Sequence, residues 1–307
     1  MGVMRMTLDQ LRVFVAVAER QHVTRAAEAL SMAQSAASAA VVALETRYGI
    51  RLFNRVGRGI ELTEAGRRFL MEARAVLVRA EAAELMLAEL SGLVSGTLSV
   101  WASQTIASYW LPRHLVAFHR AHPGIEIRLT IGNTAQVAAA VHEGLAEIGF
   151  VEGAVEDGLL SSTTVATDQL VLVVAADHLW AAKAELTLRD AAEQGEWVLR
   201  EPGSGTRSAF EAALAAAGIP LSRLRITLEL PSNEAVRAAV ESGMGATVIS
   251  ASVAVSSLEA GLLHRVALAL PEREFHVLRH RERHPSGAAE ALLSLIAATT
   301  PRSGPAG

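Results

Sequence analysis

Residues 24–44 read TRAAEALSMAQSAASAAVVAL, and this stretch decides how the N-terminal part of the chain folds. Apolar residues recur at helical spacing up to Leu30 and again from Ala36 to Leu44, with a polar break between the two runs. The pattern predicts two short helices that each bury one face and are joined by a tight turn. Such a helix-turn-helix places its second helix in the DNA major groove, where short polar side chains at the helix start face the base edges.

The segments on either side extend this unit. Thr7 and Gln10 have the spacing of a capping box, which predicts a first helix ending near Glu19. Thr24 is expected to cap the second helix. The third, the recognition helix, is expected over residues 33–47 and to end at Gly49, which tolerates a positive φ.

A wing is predicted directly after the recognition helix. Leu52-Phe53 and Ile60–Leu62 are typical of two short strands, and the turn between them carries glycine and arginine residues. Such a hairpin tip can lie along the phosphate backbone or enter a minor groove. A solvated turn would explain the same residues in isolation, but their position beside a helix-turn-helix favours the wing.

A long helix follows, capped by Thr63 and running to about Leu90 without an internal proline. Apolar residues along it alternate steps of three and four, which is the spacing of a two-stranded coiled-coil seam. A helix lying on its own domain would be the alternative. The predicted dimerisation residues are Phe69, Ala73, Val76, Ala80, Ala83, Leu87 and Leu90.

Residues 6–66 as a whole, MTLDQLRVFVAVAERQHVTRAAEALSMAQSAASAAVVALETRYGIRLFNRVGRGIELTEAG, resemble the LysR-type transcriptional regulators. The motifs F-x-x-V-A, T-R-A-A-E-x-L, A-Q-S-A-x-S, L-E-x-x-x-G-x-x-L-F-x-R-x-G-R and L-T-E-A-G follow that family in order and spacing. Where the family reads S-Q-P-A-x-S-R, this chain has Ala33, Ser35 and Ala39. The missing arginine implies an altered half-site. The candidate DNA-binding residues are Thr24, Arg25, Gln34, Ser35, Ser38, Arg55 and Arg58.

Length and charge agree with this organisation. The chain has 307 residues, 51% of them hydrophobic, which suits two or three domains. Residues 1–68 hold ten Arg against six Asp or Glu, whereas the remainder holds 18 Lys or Arg against 26 acids, so the net charge of −4 divides into +4 and −8. The basic surplus therefore lies where phosphate binding needs it. With no cysteine, signal peptide or membrane-length apolar run, a cytoplasmic protein is expected.

From Gly96 onward, short apolar strands alternate with helices, which predicts a parallel α/β sheet. The chain is expected to cross from one half of this domain to the other near Asp168 and to return near Leu268. The two halves resemble the two-lobed LysR effector domain, itself similar to periplasmic binding proteins. The expected fold is α/β with an N-terminal all-α winged helix-turn-helix. The expected parts are the winged domain (1–62), a dimerising linker helix (63–92), the effector-binding domain (93–298) and a disordered tail (299–307). Lobe I takes in 93–168 and 269–298, and lobe II takes in 169–268.

Polar and glycine residues stand where strands of this domain give way to helices. Free N–H groups at helix starts attract anions, and small hydroxyl side chains let an oxyanion approach closely. Each segment alone is equally explained by helix capping, but several converging on one cleft favour a small anionic effector, with Arg207 neutralising its charge. The candidate effector-binding residues are Ser103, Gln104, Thr105, Asn133, Thr134, Glu152, Gly153, Gly203, Ser204, Gly205, Thr206, Arg207 and Asn233.

The wording of these segments, including W-A-S-Q-T-I-A-S-Y-W-L-P and L-R-E-P-G-S-G-T-R, resembles one LysR branch. That branch includes regulators of cysteine synthesis and sulfite response, and it is similar to regulators of carbon-fixation operons. The first resemblance implies a sulfur oxyanion as effector, and the second implies a phosphorylated metabolite. A small sulfur oxyanion is the preferred hypothesis. The family resemblance also implies a homodimer that pairs into a homotetramer on double-stranded operator DNA.

Other classes of protein fit less well. No G-x-S-x-G elbow or glycine-rich phosphate fingerprint occurs, so neither a catalytic residue nor a cofactor is predicted. His276, His280 and His284 are spaced by four, but on a probable strand and its exit a solvated surface is favoured over a metal site. A small-molecule binding protein without a role on DNA would lack the helix-turn-helix segment. The sequence therefore predicts a transcriptional regulator that is not an enzyme.

Overall fold

The chain is described by a computed structural model that covers residues 6–56, 59–90, 96–183 and 186–299. At residues 81, 82 and 84–90 only the helical backbone is described. The chain divides into two compact units, one formed by residues 1–91 and the other by most of residues 92–307.

The first unit is mainly helical, as predicted. Its elements are α1 (Leu8–Arg20), α2 (Val23–Ala29), α3 (Gln34–Tyr48), β1 (Phe53–Val56), β2 (Gly59–Leu62) and α4 (Glu64–Leu90). The strands β1 and β2 are antiparallel and form the wing, with Arg55 opposite Ile60. Gly57 and Arg58, at the predicted wing tip, lie outside the described residues.

Helix ends in this unit test three of the predicted caps. Thr7 and Gln10 form the capping box, with Thr7 Oγ1 accepting from Gln10 N at 3.2 Å and Gln10 Oε1 accepting from Thr7 N at 3.3 Å. Gly49 ends α3 with φ +63°. The cap at Thr24 is wrong, because α2 begins one residue earlier and the His22 ring accepts from Arg25 N at 3.4 Å.

The core of this unit is built around Phe14, which is completely buried. Its ring lies 4.8 Å from that of Phe69 in α4 and 5.5 Å from that of Phe53 in β1. Leu44 of α3 and Leu52 pack into the same cluster. One aromatic side chain therefore ties α1 to the wing and to the start of α4.

Over the residues that the structure describes, the second unit is an α/β domain with one nine-stranded sheet. Its strands are β3 (Gly96–Ser103), β4 (Ile125–Gly132), β5 (Ile148–Glu152), β6 (Leu160–Ala175), β7 (Glu196–Arg200), β8 (Arg225–Leu230), β9 (Ala246–Ser250), β10 (Leu263–Arg265) and β11 (Glu272–His280). Its helices are α5 (Leu111–Ala121), preceded by a π-helical turn at Ile106–Trp110, α6 (Thr134–Glu143), α7 (Leu188–Gln194), α8 (Gly205–Ala216), α9 (Asn233–Glu241), α10 (Ala251–Glu259) and α11 (Gly287–Thr299).

The predicted parallel sheet is correct for three strands of each lobe and wrong for β6, β10 and β11, whose pairs are all antiparallel. Strand β3 pairs in parallel with β4 and β5 in lobe I, and β7 pairs in parallel with β8 and β9 in lobe II. The long strand β6 is antiparallel to β11 over its first half and antiparallel to β9 over its second half. The sheet is mixed because β6 and β11 carry the chain out of lobe I and back.

The carboxyl ends of the strands position the polar residues that the sequence predicted at the effector site. Since Ser103 ends β3 beside Gly132 of β4, the carboxyl ends of the parallel strands in lobe I lie together. Arg200 and Leu230 end β7 and β8 side by side in lobe II. Among the described helices, no single one is long and apolar enough to span a membrane. The sharply bent pair α2 and α3 together has the length and composition of a span, and nothing else in the described part of the chain points to one.

Candidate functional site

The predicted base-reading residues lie at the amino-terminal end of α3. Gln34 and Ser35 are exposed in its first turn, and Ser38 is half-buried. The opposite side of α3 packs into the core through Ala37, Val41 and other apolar residues. Because one side is buried and the other is free, α3 can present its polar side to a DNA groove. Thr24 and Arg25, also predicted to contact DNA, are exposed at the start of α2.

The wing adds exposed cations beside α3. Arg55 is exposed on β1, and the Arg58 prediction falls outside the described residues. An open groove of about 580 Å³ lies along α3 and β1, lined by Glu45, Arg51, Phe53, Asn54 and Arg55. Arg51 and Arg55 give this part of the surface the charge that phosphate contacts require.

The predicted dimer seam on α4 is only partly free. Phe69 and Ala73 are wrong as seam residues, because both pack on α1 in the core of their own unit and Ala73 is 1% exposed. Val76 is 42% exposed and Ala83 is exposed, while Ala80 is half-buried. The side chains of Leu87 and Leu90 lie outside the described residues. Among the predicted seam residues whose side chains are described, Val76 and Ala83 are therefore the exposed ones.

In the second unit, the predicted effector residues meet across the two lobes. Gln104 Oε1 accepts from the backbone N–H of Asn233 at 2.8 Å. Thr105 Oγ1 accepts from Asn233 Nδ2 at 3.0 Å, and Asn133 Nδ2 donates to Glu201 Oε1 at 3.3 Å. The backbone N–H of Ala135 donates to Gly203 O at 3.3 Å. The structure thus shows the lobes closed upon one another at the helix starts that the sequence predicted.

The interface between the lobes is tightly packed and largely buried. A Cβ atom at Gly205 would lie 2.6 Å from Thr134 Oγ1 and 2.7 Å from Glu152 Oε2, so glycine is required there. Ser204 and Thr206 are each 2% exposed. Ser103 is also 2% exposed, and its Oγ has no hydrogen-bond partner among the described residues. Burial removes the hydrogen bonds that a hydroxyl makes with water, and most buried hydroxyls replace them with bonds to protein groups. Ser103 is therefore unusual among the buried polar residues.

Two arginines that the sequence did not single out line this interface. Arg200 is 5% exposed, and its Nη1 donates to Asn233 Oδ1 at 2.6 Å while its Nε donates to Glu201 Oε2 at 2.8 Å. Arg273, also 5% exposed, donates from Nη1 to Thr206 Oγ1 at 3.0 Å and from Nε to Asp168 Oδ2 at 2.8 Å. Each guanidinium is therefore already paired with a carboxylate in the closed arrangement.

Arg207, by contrast, is held by groups of its own lobe. Its Nε donates to Glu211 Oε1 at 2.7 Å, its Nη1 donates to Arg200 O at 3.0 Å, and it also pairs with Glu229. All of these partners belong to lobe II, so Arg207 is not among the contacts that join the lobes, and its role as the cation that balances an anion stays a prediction. Gly153 lies at the end of β5 with φ +75° and donates to Glu274 O at 3.0 Å within lobe I.

One more contact across the lobes escaped the sequence analysis. Glu234 accepts from Gln104 Nε2 at 2.7 Å and from Tyr109 Oη at 3.1 Å. Burial and the neighbouring Glu234 carboxylate raise the pKa of the Tyr109 phenol, so it stays protonated and donates. Among these missed residues only Arg200 left a sequence signal, as a charge at the end of the apolar strand W-V-L-R.

Comparison with known proteins agrees with both halves of this description. Residues 8–67 match the bacterial regulatory helix-turn-helix protein, lysR family, and residues 91–301 match the LysR substrate binding domain. The chain is 35% identical over 292 residues to the uncharacterized HTH-type transcriptional regulator YeiE of Escherichia coli, covering 94% of this chain and 97% of that one. It is 31% identical over 304 residues to a probable RuBisCO transcriptional regulator of Cyanophora paradoxa, covering 96% and 94% of the two chains.

A solved structure is also similar to the second unit. The regulatory domain of Synechocystis CcmR in complex with 2-PG is 27% identical, with a TM-score of 0.61, and covers 67% of this chain and 98% of that domain. The two family matches together span the winged helix-turn-helix and the two-lobed domain with the cleft just described. The chain therefore belongs to the LysR family of DNA-binding transcriptional regulators, which pair a helix-turn-helix with an effector-binding domain and are not enzymes.

Proposed function

We propose that this regulator is controlled by a small oxyanion bound between the two lobes of its effector-binding domain. The observation that carries the proposal is Ser103 Oγ, which is buried without a partner at the carboxyl end of β3. The start of α8 lies at the same interface, and the positive end of a helix attracts negative charge. The first amides of α6 and α9 already have acceptors, since Ala135 N–H donates to Gly203 O and Asn233 N–H donates to Gln104 Oε1. Arg200 lies beside them and can turn part of its hydrogen bonding from Glu201 to an incoming anion.

Two classes of anion fit this proposal. The burial of Ser103, Ser204 and Thr206 at this interface favours a small inorganic anion such as a sulfur oxyanion. The alternative is a phosphorylated metabolite, which the probable RuBisCO regulators and the CcmR domain bound to 2-PG favour. A sulfur oxyanion would link the chain to sulfur or cysteine metabolism, and the alternative would link it to carbon fixation. We keep the sulfur oxyanion as the first hypothesis.

Melting of the full-length protein discriminates between the two classes. Sulfite, sulfate and thiosulfate form one panel, and 2-PG with a sugar phosphate forms the other. A ligand that binds only the folded protein stabilises it by RT ln(1 + L/Kd), where L is the free ligand concentration, so the melting temperature rises with the ligand concentration. A rise with the first panel supports the sulfur oxyanion, and a rise with only the second supports carbon-fixation control. If neither panel acts, the proposal of a small anion fails.

On the DNA side, we infer that Gln34, Ser35 and Ser38 read base edges and that Arg55 holds the backbone. Replacing Gln34 with alanine is expected to cost about 1–3 kcal/mol at the specific site, because a side chain that reads a base is lost. Binding to random duplex should hardly change. Fluorescence anisotropy with a duplex selected from a randomised pool and with the starting pool measures both affinities.

The control for this prediction is Gln194→Ala, which makes the same change at the exposed end of α7. It should alter neither affinity. Arg55→Ala should weaken binding to both duplexes and reduce the dependence on salt, since a phosphate contact carries no sequence information. An equal loss on both duplexes with Gln34→Ala would contradict direct readout by this residue.

We also infer that copies of the chain associate through the exposed part of α4. Replacing Val76 with lysine would place like charges opposite one another in such a seam, so the dimer is expected to dissociate. Sedimentation velocity at micromolar concentration measures the change in mass. Val255→Lys, on α10, is the matched control because Val255 is 48% exposed. If that control dissociates the protein and Val76→Lys does not, the interface lies on the effector-binding domains.

A further inference from the structure

The junction between the recognition helix and the wing is held by one carboxylate. Glu45 lies near the end of α3, and its Oε1 accepts from the backbone N–H of Leu52 at 2.7 Å and from that of Phe53 at 3.1 Å. Phe53 is the first residue of β1. The same helix that carries Gln34 and Ser35 therefore also holds the first strand of the wing.

The same short segment is fixed from its other side by the start of α4. Leu52 O accepts from the backbone N–H of Thr63 at 2.9 Å, and Arg51 O accepts from Thr63 Oγ1 at 2.8 Å. A Cβ atom at Gly66 would lie 2.1 Å from Leu52 O, so α4 passes in direct contact with this backbone. Two amides and two carbonyls of residues 51–53 thus have fixed partners.

These two sets of bonds hold different parts of the unit. The bonds from Thr63 tie the segment to the return strand and to α4, whereas the bonds from Glu45 tie it to α3. The open groove lined by Phe53, Asn54 and Arg55 lies along this junction, so apolar packing does not close it completely. The orientation of β1 relative to α3 is consequently set by the packing of Leu52 and Phe53 in the core together with the reach of the Glu45 side chain.

We propose that Glu45 is a positioning residue for DNA recognition, one that sets the angle between the wing and α3 without contacting DNA. The proposal rests on the inferred contact of Arg55 with the DNA backbone. Charge alone predicts the opposite effect, because a carboxylate close to phosphates repels them and its removal should strengthen binding. Geometry and charge can therefore be separated by two conservative substitutions.

Glu45→Asp keeps the charge but shortens the side chain by one methylene, so it cannot reach both amides. Glu45→Gln loses the charge but keeps an acceptor oxygen at the same reach. With full-length protein and a duplex selected from a randomised pool, Glu45→Asp is expected to lose about tenfold or more in affinity. Glu45→Gln should stay close to the unmodified protein. Hydroxyl-radical footprinting should show that Glu45→Asp loses protection at the wing and keeps it where α3 binds.

Glu61→Gln is the control for charge, since Glu61 is exposed on β2 opposite Asn54. Its footprint should be unchanged. If Glu45→Asp binds and protects like the unmodified chain, or if Glu45→Gln is the defective variant, the positioning role is overturned. If Arg55→Ala leaves the footprint unchanged, the inferred contact between Arg55 and the DNA backbone is wrong, and this result is distinguishable from a failure of the Glu45 proposal. Melting temperatures measured on the same samples show whether a loss of affinity reflects unfolding.

Discussion

Replacing Asp168 with alanine is expected to lower the free energy of unfolding of the effector-binding domain by about 3–5 kcal/mol, because it leaves a buried cation without its partner. The Arg273 side chain is 4% exposed, and its Nη2 and Nε lie 2.7 and 2.8 Å from Asp168 Oδ2. The next carboxylate, Glu152, is 4.0 Å from Nη2 and cannot replace the lost contact without movement. Urea unfolding followed by circular dichroism measures the loss.

Two further variants separate the buried charge from ordinary packing. Ser250 Oγ donates to Asp168 Oδ1 at 2.7 Å and caps α10 by accepting from Ser252 N at 3.1 Å, so Ser250→Ala removes two hydrogen bonds and should cost about 2 kcal/mol. The double variant Asp168→Leu with Arg273→Met removes both charges and should recover much of the lost stability. A cost below about 1 kcal/mol for Asp168→Ala would mean that water reaches Arg273 and that the pair is not energetically buried.

Asp168 lies at the crossing between the lobes, and the sequence could predict that crossing but not its chemistry. The change of pattern at Asp168-Gln169 indicated the switch of lobe. It could not show that β6 continues from Leu160 to Ala175 as one strand, because its first half, S-S-T-T-V-A-T-D, is polar. That half is paired on one side with β11, which lies more than a hundred residues away. Pairing over such a distance leaves no trace in local periodicity.

Local signals, on the other hand, were reliable at two of the three caps tested in the winged unit and wrong at Thr24. The capping box at Thr7 and the positive φ at Gly49 depend only on neighbours within one helical turn, and both are present. Two residues of the predicted seam were misassigned for a different reason. Steps of three and four along α4 record that one face is apolar, but they do not tell whether α1 of the same chain or a second copy covers it. Phe69 and Ala73 are covered by α1 of the same chain.

The contacts that join the lobes were predicted by position, but the arginines among them were not. Strand ends and helix starts correctly brought Thr105, Asn133 and Asn233 together, because the carboxyl ends of parallel strands share one edge. Which arginine points into that edge depends on side-chain partners that no spacing reveals. Arg207 had the expected place in the first turn of α8, but Glu211 and Glu229 hold it, and Arg200 lies at the interface instead.

Replacing Ser103 with alanine is expected to remove the response to the oxyanion without destabilising the protein. Because Ser103 Oγ is buried without a partner among the described residues, its removal should leave the melting temperature of the unliganded protein unchanged or slightly higher. Affinity for the anion should fall about tenfold or more, since a hydrogen bond to a charged group contributes about 1.5–3 kcal/mol. Isothermal titration calorimetry with the anion that raises the melting temperature of the unmodified protein measures this loss.

Thr105→Val is the paired variant and tests the coupling to DNA. Valine leaves Asn233 Nδ2 without the oxygen it contacts at 3.0 Å, so the closed arrangement loses a contact that joins the lobes. An effector changes the operator footprint only as far as it binds one arrangement better than the other. Thr105→Val should therefore abolish the ligand-dependent change in footprint while leaving DNA affinity without ligand intact. If Ser103→Ala binds the anion as tightly as the unmodified chain, the anion lies elsewhere. A footprint that still responds with Thr105→Val would remove the Thr105–Asn233 contact from the switch.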